Sequence, residues 1–357
     1  MKTIKLVMIG FGNVGRAFAA LLLDKRDVLA TQYDLRVRVT GILTGHHGGA
    51  LDPEGIDLTR ATALLEKNSS LEALNRGALP ESAEEFIRVS GGHVMLENTP
   101  VDYASGQPAI NHIEAALNND MHAITANKGP VVHAYRRLSD LAAGRDRKFH
   151  FESTVMDGAP IFSLWRSSLP GAKLHSFRGI LNSTTNLMLT LMEQGRSFDE
   201  AVQHAQDIGI AETDPSGDID GWDAAIKVAA LTTVLMDHSL LPSDVEREGI
   251  GAISAGDVQL AKSRGCRWKL VCEAQPTEQG FKASVHPQEI GSEDPLYNVI
   301  GTSSAITFHS DVLGALTVLE EDPGPHTTAY GLFADLLDAV VQSLDKSDML
   351  FKSSRDQ

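Results

Sequence analysis

Residues 4–9, Ile-Lys-Leu-Val-Met-Ile, form a short apolar run that passes directly into Gly10-Phe-Gly-Asn-Val-Gly15, and Arg-Ala-Phe-Ala-Ala-Leu-Leu-Leu follows at 16–23. No other feature limits the fold as much as this order of strand, glycine turn and helix. Gly10 suits a tight turn, Gly12 lets the backbone approach a pyrophosphate, and Gly15 allows close helix packing, while the helix N-terminus supplies amides and a positive dipole. A G-x-G-x-x-G run alone is a weak signal that gains force from its flanking strand and helix. The expected fold class is α/β, opening with a Rossmann-type doubly wound parallel sheet that binds a dinucleotide. A glycine-rich turn without a ligand is the alternative.

The rest of the first half continues the alternation. Strands are expected at 35–43, 93–100, 121–125 and 148–152, with helices at 108–118 and 131–143, a pattern that implies a parallel sheet. Residues 48–90 are polar and alanine-rich and are expected to form helices at the sheet edge. After Glu152 the pattern changes. A strand at 174–181, helices at 198–207 and 222–238, and alternating segments at 268–273, 280–285, 304–309 and 314–319 point to a mixed sheet in a second, α+β domain. The length of 357 residues accommodates two intimate domains, divided here as 1–150 for the dinucleotide and 151–320 for substrate and dimerisation.

The formal charge is -16, with 47 acidic against 31 basic residues, which argues against nucleic acid as a partner. No apolar run reaches the roughly 18 residues of a membrane span, so no membrane partner is expected. The N-terminal apolar run is too brief for a signal peptide. Cys266 and Cys272 have no histidines at zinc-ligand spacing and are expected as buried thiols rather than a disulfide or a metal site. A cytoplasmic location follows from these readings.

Two charged clusters carry the chemistry. Thr125-Ala-Asn-Lys-Gly-Pro130 follows an expected strand, so Lys128 should sit on a loop at a strand's C-terminal end, where open α/β sheets bind ligands. Far downstream, Glu212, Asp214, Asp218, Asp220 and Asp223 precede Lys227. Asp223 and Lys227 lie four apart in a helical stretch of alanine, isoleucine, valine and leucine, which predicts a buried amine. A surface ion pair, contributing about 0.2–0.5 kcal/mol, is the alternative. Between the clusters, Asn182-Ser-Thr-Thr-Asn186 is expected to cap a helix and hold a small polar ligand. Thr44-Gly-His-His-Gly48 ends the second strand without the acid common in NAD enzymes, which favours NADP slightly over NAD, with His46 and His47 near the 2′-phosphate. Those histidines as solvated loop residues are the alternative.

Through Gly10–Gly15, Thr125–Pro130, Gly179-Ile-Leu-Asn-Ser-Thr-Thr-Asn186, and Gly209-Ile-Ala-Glu-Thr-Asp-Pro215 continuing to Lys227, the chain resembles the homoserine dehydrogenase family over nearly its whole length. The resemblance implies NADP- or NAD-dependent interconversion of L-homoserine and L-aspartate 4-semialdehyde, a small amino-acid substrate, in threonine and methionine biosynthesis. It implies Lys128 and Lys227 as the catalytic lysines and Glu212, Asp218 and Asp223 as acids that bind substrate or order the site. Thr184 is expected on the substrate's carboxylate side. The expected cofactor positions are Gly10, Phe11, Gly12, Asn13, Val14, Gly15, Thr44, Thr99, Pro100, Asn127 and Lys128. The resemblance also implies a homodimer formed through the second domain's sheet, and a C-terminal helix, at about 322–345, that returns to the first domain. Main-chain oxygens near Glu152 and Val155 match the family's monovalent cation site. Two departures stand out: Ser183 replaces a glycine, and Val155-Met-Asp-Gly-Ala-Pro160 replaces a glycine-rich stretch. They motivate one alternative, a dehydrogenase of a related small hydroxy acid. A catalytically silent dinucleotide-binding regulator is another. With the sequence ending at Gln357, no ACT-type regulatory domain is expected. Desolvation is expected to lower a lysine pKa toward the range for proton transfer, with the carboxylates restraining that fall.

Overall fold

The structure, a computed structural model, describes residues 1–278 and 280–341. The first half comprises β1 (Lys2–Ile9), α1 (Asn13–Asp24), α2 (Arg26–Tyr33), β2 (Leu35–Leu43), β3 (Gly49–Leu51), α3 (Leu58–Glu66), α4 (Ala83–Val89), β4 (Val94–Glu97), α5 (Ala109–Asn118), β5 (His122–Thr125), α6 (Lys128–Gly144) and β6 (Phe149–His150). The second comprises β7 (Leu174–Ile180), α7 (Ser183–Glu193), α8 (Phe198–Asp207), α9 (Ser216–Ile219), α10 (Trp222–Leu235), β8 (Glu246–Arg247), α11 (Ala255–Ser263), β9 (Cys266–Thr277), β10 (Gly280–Gly291), β11 (Ser304–Ser310), β12 (Gly314–Glu320) and α12 (Pro325–Val340).

The first sheet has the order β3-β2-β1-β4-β5-β6 and is parallel except for β3. Its central strands are apolar on both faces because helices cover both. Side chains alternate across the sheet: Val7, Ile9, Met95 and Ala123 join the core beneath α5 and α6, while Leu6, Met8, Leu96 and Ile124 join the core formed with Phe18 and Leu22 of α1. Ala329, Leu332, Phe333 and Leu336 of α12 complete that second core, so the end of the described chain packs on the half that contains its beginning. The last residues of the expected helix, 342–345, lie outside the described residues.

The second sheet has the order β12-β11-β7-β9-β10-β8, antiparallel apart from β8 against β10. The core beneath α5 and α6 continues into it through Ala224, Ile226 and Val228 of α10 and Leu270 and Cys272 of β9, joining the halves by apolar packing.

Three expectations need correction. Lys128 is not on a loop: it opens α6, because Asn127 accepts the Gly129 amide at 2.9 Å and starts the helix three residues early. The region 48–90 includes β3, an antiparallel edge strand of three residues, too short to show a period. Cys266 is half-buried rather than buried, although both cysteines are free.

Gly331 lets α12 meet the segment after β6. A methyl group there would clash with the Ser153 hydroxyl and stand 2.9 Å from the Asp157 carbonyl oxygen. In an open helix, Gly→Ala stabilises by about 0.5–1 kcal/mol. Here crowding reverses the sign, and Gly331→Ala is expected to destabilise by about 1–3 kcal/mol. Urea unfolding measures this; a rise in stability would show that α12 does not seat this closely.

Candidate active site

A cleft of about 550 Å³ opens between the halves and is lined by residues following β1, β4 and β5, including Val14, Asn98, Thr99, Pro100, Asn127 and Lys128. β1 and β4 are sheet neighbours whose following connections run in opposite directions, so the cleft lies at the topological switch point where ligands bind such folds.

The β1–α1 turn shapes one end. Gly10 has φ +93°, and a side chain there would stand 2.5 Å from the Asn98 carbonyl oxygen. Gly12 is exposed at the N-cap of α1, and a side chain there would meet no atom within 4 Å. That open space before a helix N-terminus suits a pyrophosphate. The side-chain amide nitrogen and oxygen of Asn98 are buried without hydrogen-bond partners among the described residues, leaving a donor and an acceptor at the cleft. The turn and the Asn98 amide fit a dinucleotide.

The other expected cofactor positions divide. Val14 lines the cleft, whereas the Phe11 side chain is buried in the α1 core, leaving only its backbone available. Asn13 accepts from Arg16 at 2.7 Å. Thr44 is not in the cleft: its hydroxyl donates to Gly48 O at 2.8 Å and accepts from the His47 amide at 2.9 Å, closing its own turn. The Asn127 side chain donates to Thr99 O at 3.0 Å and Pro100 O at 3.2 Å, tying the loop after β4 to α6. Buried Glu97 supports the same loop by accepting from the Thr99 amide and hydroxyl and the Thr125 hydroxyl. An isolated acid in an apolar strand gives little sequence warning of this role.

At the other end, Asp223 bridges the two lysines. It lies 3.2 Å from Lys128 and 3.0 Å from Lys227, and the side chains of all three are 14–17% exposed. The surface-pair reading is thereby replaced: the Lys227 ammonium also donates to Leu181 O at 2.7 Å. Asn182 completes the cluster, donating to Asp218 at 2.6 Å and Asp223 at 3.0 Å while its oxygen accepts the Thr185 amide and caps α7. Asn182 belongs to the run expected to cap a helix and hold a polar ligand; its bonds to Asp218 and Asp223 have no signal in the sequence beyond that of a helix cap.

Charge pairing overrides desolvation here. Burial pushes the Asp223 carboxyl up, but Lys128 and Lys227 together hold it well below the usual carboxylate range. Burial pulls Lys128 down, yet Asp223, with Asp157 and Asp218, leaves it above the ordinary lysine value. The expected fall in a lysine pKa does not occur at Lys128. Asp218 is raised by burial and by neighbouring Asp223, against hydrogen bonds from Asn182 and Thr184.

Glu212, Thr184 and Asp218 also line the cleft, with Glu212 exposed at its mouth. Asn186 turns away to bind Lys269, which is fully buried and donates to Asn186 at 2.8 Å and Val299 O at 2.6 Å. Both family departures line the cleft: Ser183 contacts the Ser304 hydroxyl at 3.1 Å, and Asp157, which acts on Lys128 through its charge, adopts φ +38°, a conformation that suits glycine, while accepting from Thr328. Near the expected cation site, both Glu152 oxygens accept backbone amides, from Phe162 at 2.6 Å and Ser163 at 2.8 Å. Among the described residues no cluster of three or more His, Cys, Asp or Glu suits a metal ion. The Glu152 carboxylate thus caps a neighbouring segment.

A dinucleotide cradle facing two lysines in a doubly wound fold defines the class, an NAD(P)-dependent oxidoreductase. The homoserine dehydrogenase NAD binding domain profile matches residues 10–152 and the homoserine dehydrogenase profile residues 160–337. The chain is 33% identical to the NAD(+)-dependent homoserine dehydrogenase of Pseudomonas canavaninivorans over 94% of its length and 96% of that protein. It is 34% identical to the homoserine dehydrogenase of Methanocaldococcus jannaschii over 93% and 97%. A solved homoserine dehydrogenase from Thiobacillus denitrificans superposes with a TM-score of 0.79 at 27% identity, covering 95% of this chain and 73% of that one. The chain belongs to the homoserine dehydrogenase family, oxidoreductases of amino-acid biosynthesis, which sets aside the silent-regulator alternative. No helix among the described residues is long and apolar enough to cross a membrane.

Because no atom of the described residues lies within 4 Å of a side chain placed at Gly12, Gly12→Val is expected to leave stability within about 0.5 kcal/mol while weakening dinucleotide binding at least tenfold. Fluorescence titration with NADPH and NADH checks this; unchanged affinity in a folded variant would make the turn merely structural.

Proposed function

We propose that homoserine and aspartate 4-semialdehyde interconvert in this cleft through the Lys128–Asp223–Lys227 group, with Lys227 polarising the substrate oxygen and Lys128 moving its proton. The carrying observation is one carboxylate, only 14% exposed, shared by two ammonium groups. The trio retains a surplus positive charge for an oxygen that becomes anionic, and its low exposure strengthens that interaction. Bound nicotinamide supplies or accepts the hydride at its C4. In aldehyde reduction Lys128, held as ammonium, gives the alcohol oxygen its proton; in oxidation it must first lose one. Glu212, with Asp218 and Asp223 at the rear, suits the substrate ammonium, and Thr184 the carboxylate side.

The same reading divides the chain into a dinucleotide domain, 1–150 completed by α12, and a substrate and dimerisation domain, 151–320. Exposed Val312, Leu313 and Leu319 on the β11–β12 hairpin support a homodimer built on the second sheet. Free Cys266 and Cys272 support a cytoplasmic location. For the cofactor, a turn after β2 with His46 and His47 and no carboxylate of its own supports NADP. The Pseudomonas relative is named for NAD(+), and Glu72 packs over Gly48 beside that turn, so both cofactors belong in one assay.

Lys227→Ala is expected to lower kcat about a hundredfold or more with dinucleotide binding intact. Near-normal turnover of homoserine would sink its catalytic role.

The pH dependence follows from Asp223. With its charge present, oxidation gains as pH rises into the alkaline range where Lys128 loses its proton. Asp223→Asn removes the counter-charge, burial then acts with less opposition, and the Lys128 pKa falls. In the variant, the rising limb of kcat/KM for homoserine should move to lower pH although the maximum rate drops. An unmoved limb in pH-rate profiles would remove Lys128 from proton transfer.

A further inference from the structure

Tyr103, on the loop between β4 and α5, is the cleft residue whose chemistry the mechanism does not use. It reaches from the first half across to α9 of the second: a side chain at Gly217 would begin 3.6 Å from the Tyr103 hydroxyl. The Tyr103 side chain packs against the core and its carbonyl lies 3.1 Å from the His133 ring; the hydroxyl has no hydrogen-bond partner among the described residues. The ring lines two cavities at once. One is the reaction cleft. The other is a neighbouring cavity of about 450 Å³ whose lining includes Ala104, Trp222, Leu241 and Pro242.

The surroundings select what the hydroxyl can do. Burial, then Asp223, Asp218 and Glu212 against Lys227, raise the Tyr103 pKa above its ordinary value, so it remains a neutral O–H donor. The cleft is rich in carboxylates that suit a substrate ammonium, but its two lysines already share Asp223. With one lysine charge matched by Asp223 and the surplus charge assigned to the reacting oxygen, the substrate carboxylate is left to a neutral donor that does not draw on the lysines.

Resting on the homoserine reading of this cleft, we propose that Tyr103 determines substrate specificity, its hydroxyl donating to the amino-acid carboxylate while its ring walls that end of the cleft off from the adjoining apolar cavity. Tyr103→Phe should raise KM for L-homoserine about tenfold or more, the scale of a lost hydrogen bond to a charged group, with the loss carried by KM rather than kcat. L-Homoserine amide, which lacks the carboxylate charge, should bind the Phe variant and the parent within about threefold of each other, a smaller loss because the partner is neutral. Tyr103→Ala should open the wall and improve kcat/KM for an N-alkyl homoserine amide relative to homoserine by at least about tenfold, since a cavity of apolar lining becomes continuous with the cleft. NAD(P)H titration shows that each variant retains its first half. An unchanged KM for homoserine in Tyr103→Phe, or an equal rise for homoserine and its amide, overturns the proposal. Inability of the parent chain itself to oxidise homoserine would overturn the underlying reading of the cleft instead.

Discussion

Asp223 shares its carboxylate between Lys128, from the start of α6, and Lys227, one turn along α10. The first lysine belongs to the dinucleotide half and the second to the other, so a single acid joins the halves electrostatically at the point where they face the cleft. Removing one partner from a buried ion pair costs about 3–5 kcal/mol, because the remaining charge is left uncompensated. The lysines accordingly depend on correct docking of the halves. The same pairing reverses what burial alone would do to Lys128 and keeps it an ammonium.

Side-chain amides hold the junctions around that group. Asn127 caps α6 and fastens the loop after β4; Asn182 caps α7 and orients Asp218 and Asp223. Each uses its oxygen on a helix amide and its nitrogen on the site, a pairing that an ionised aspartate, which has no donor, cannot make. Helix starts and acid positions are thus set by the same atoms. Around them, close backbone approaches at Gly10 and Gly331 let the first strand's turn meet the loop after β4, and let α12 meet the segment after β6.

The departures from family pattern show how local geometry tolerates chemical change. Asp157 occupies a positive-φ position and uses its carboxylate on Thr328, while Ser183 directs its hydroxyl to Ser304. Neither makes a hydrogen bond to the lysine group among the described residues, although Asp157 acts on Lys128 through its charge.

Sequence alone determined the parallel strands of the first half, the glycine turn and the candidate lysines, whereas the three-residue edge strand β3 is too short to read. It also placed Asp223 and Lys227 on one helix face, a consequence of their spacing of four. Tertiary structure decided that Asp223 also takes Lys128, that Asn182 is part of the site, that Thr44 closes its own turn, and that the Asn98 amide is left unpaired at the cleft. Each depends on where a second, distant element docks. Desolvation can be anticipated from apolar neighbours in the chain, but its balance against counter-charges cannot, since Coulomb energy depends on distances across the fold rather than along the sequence.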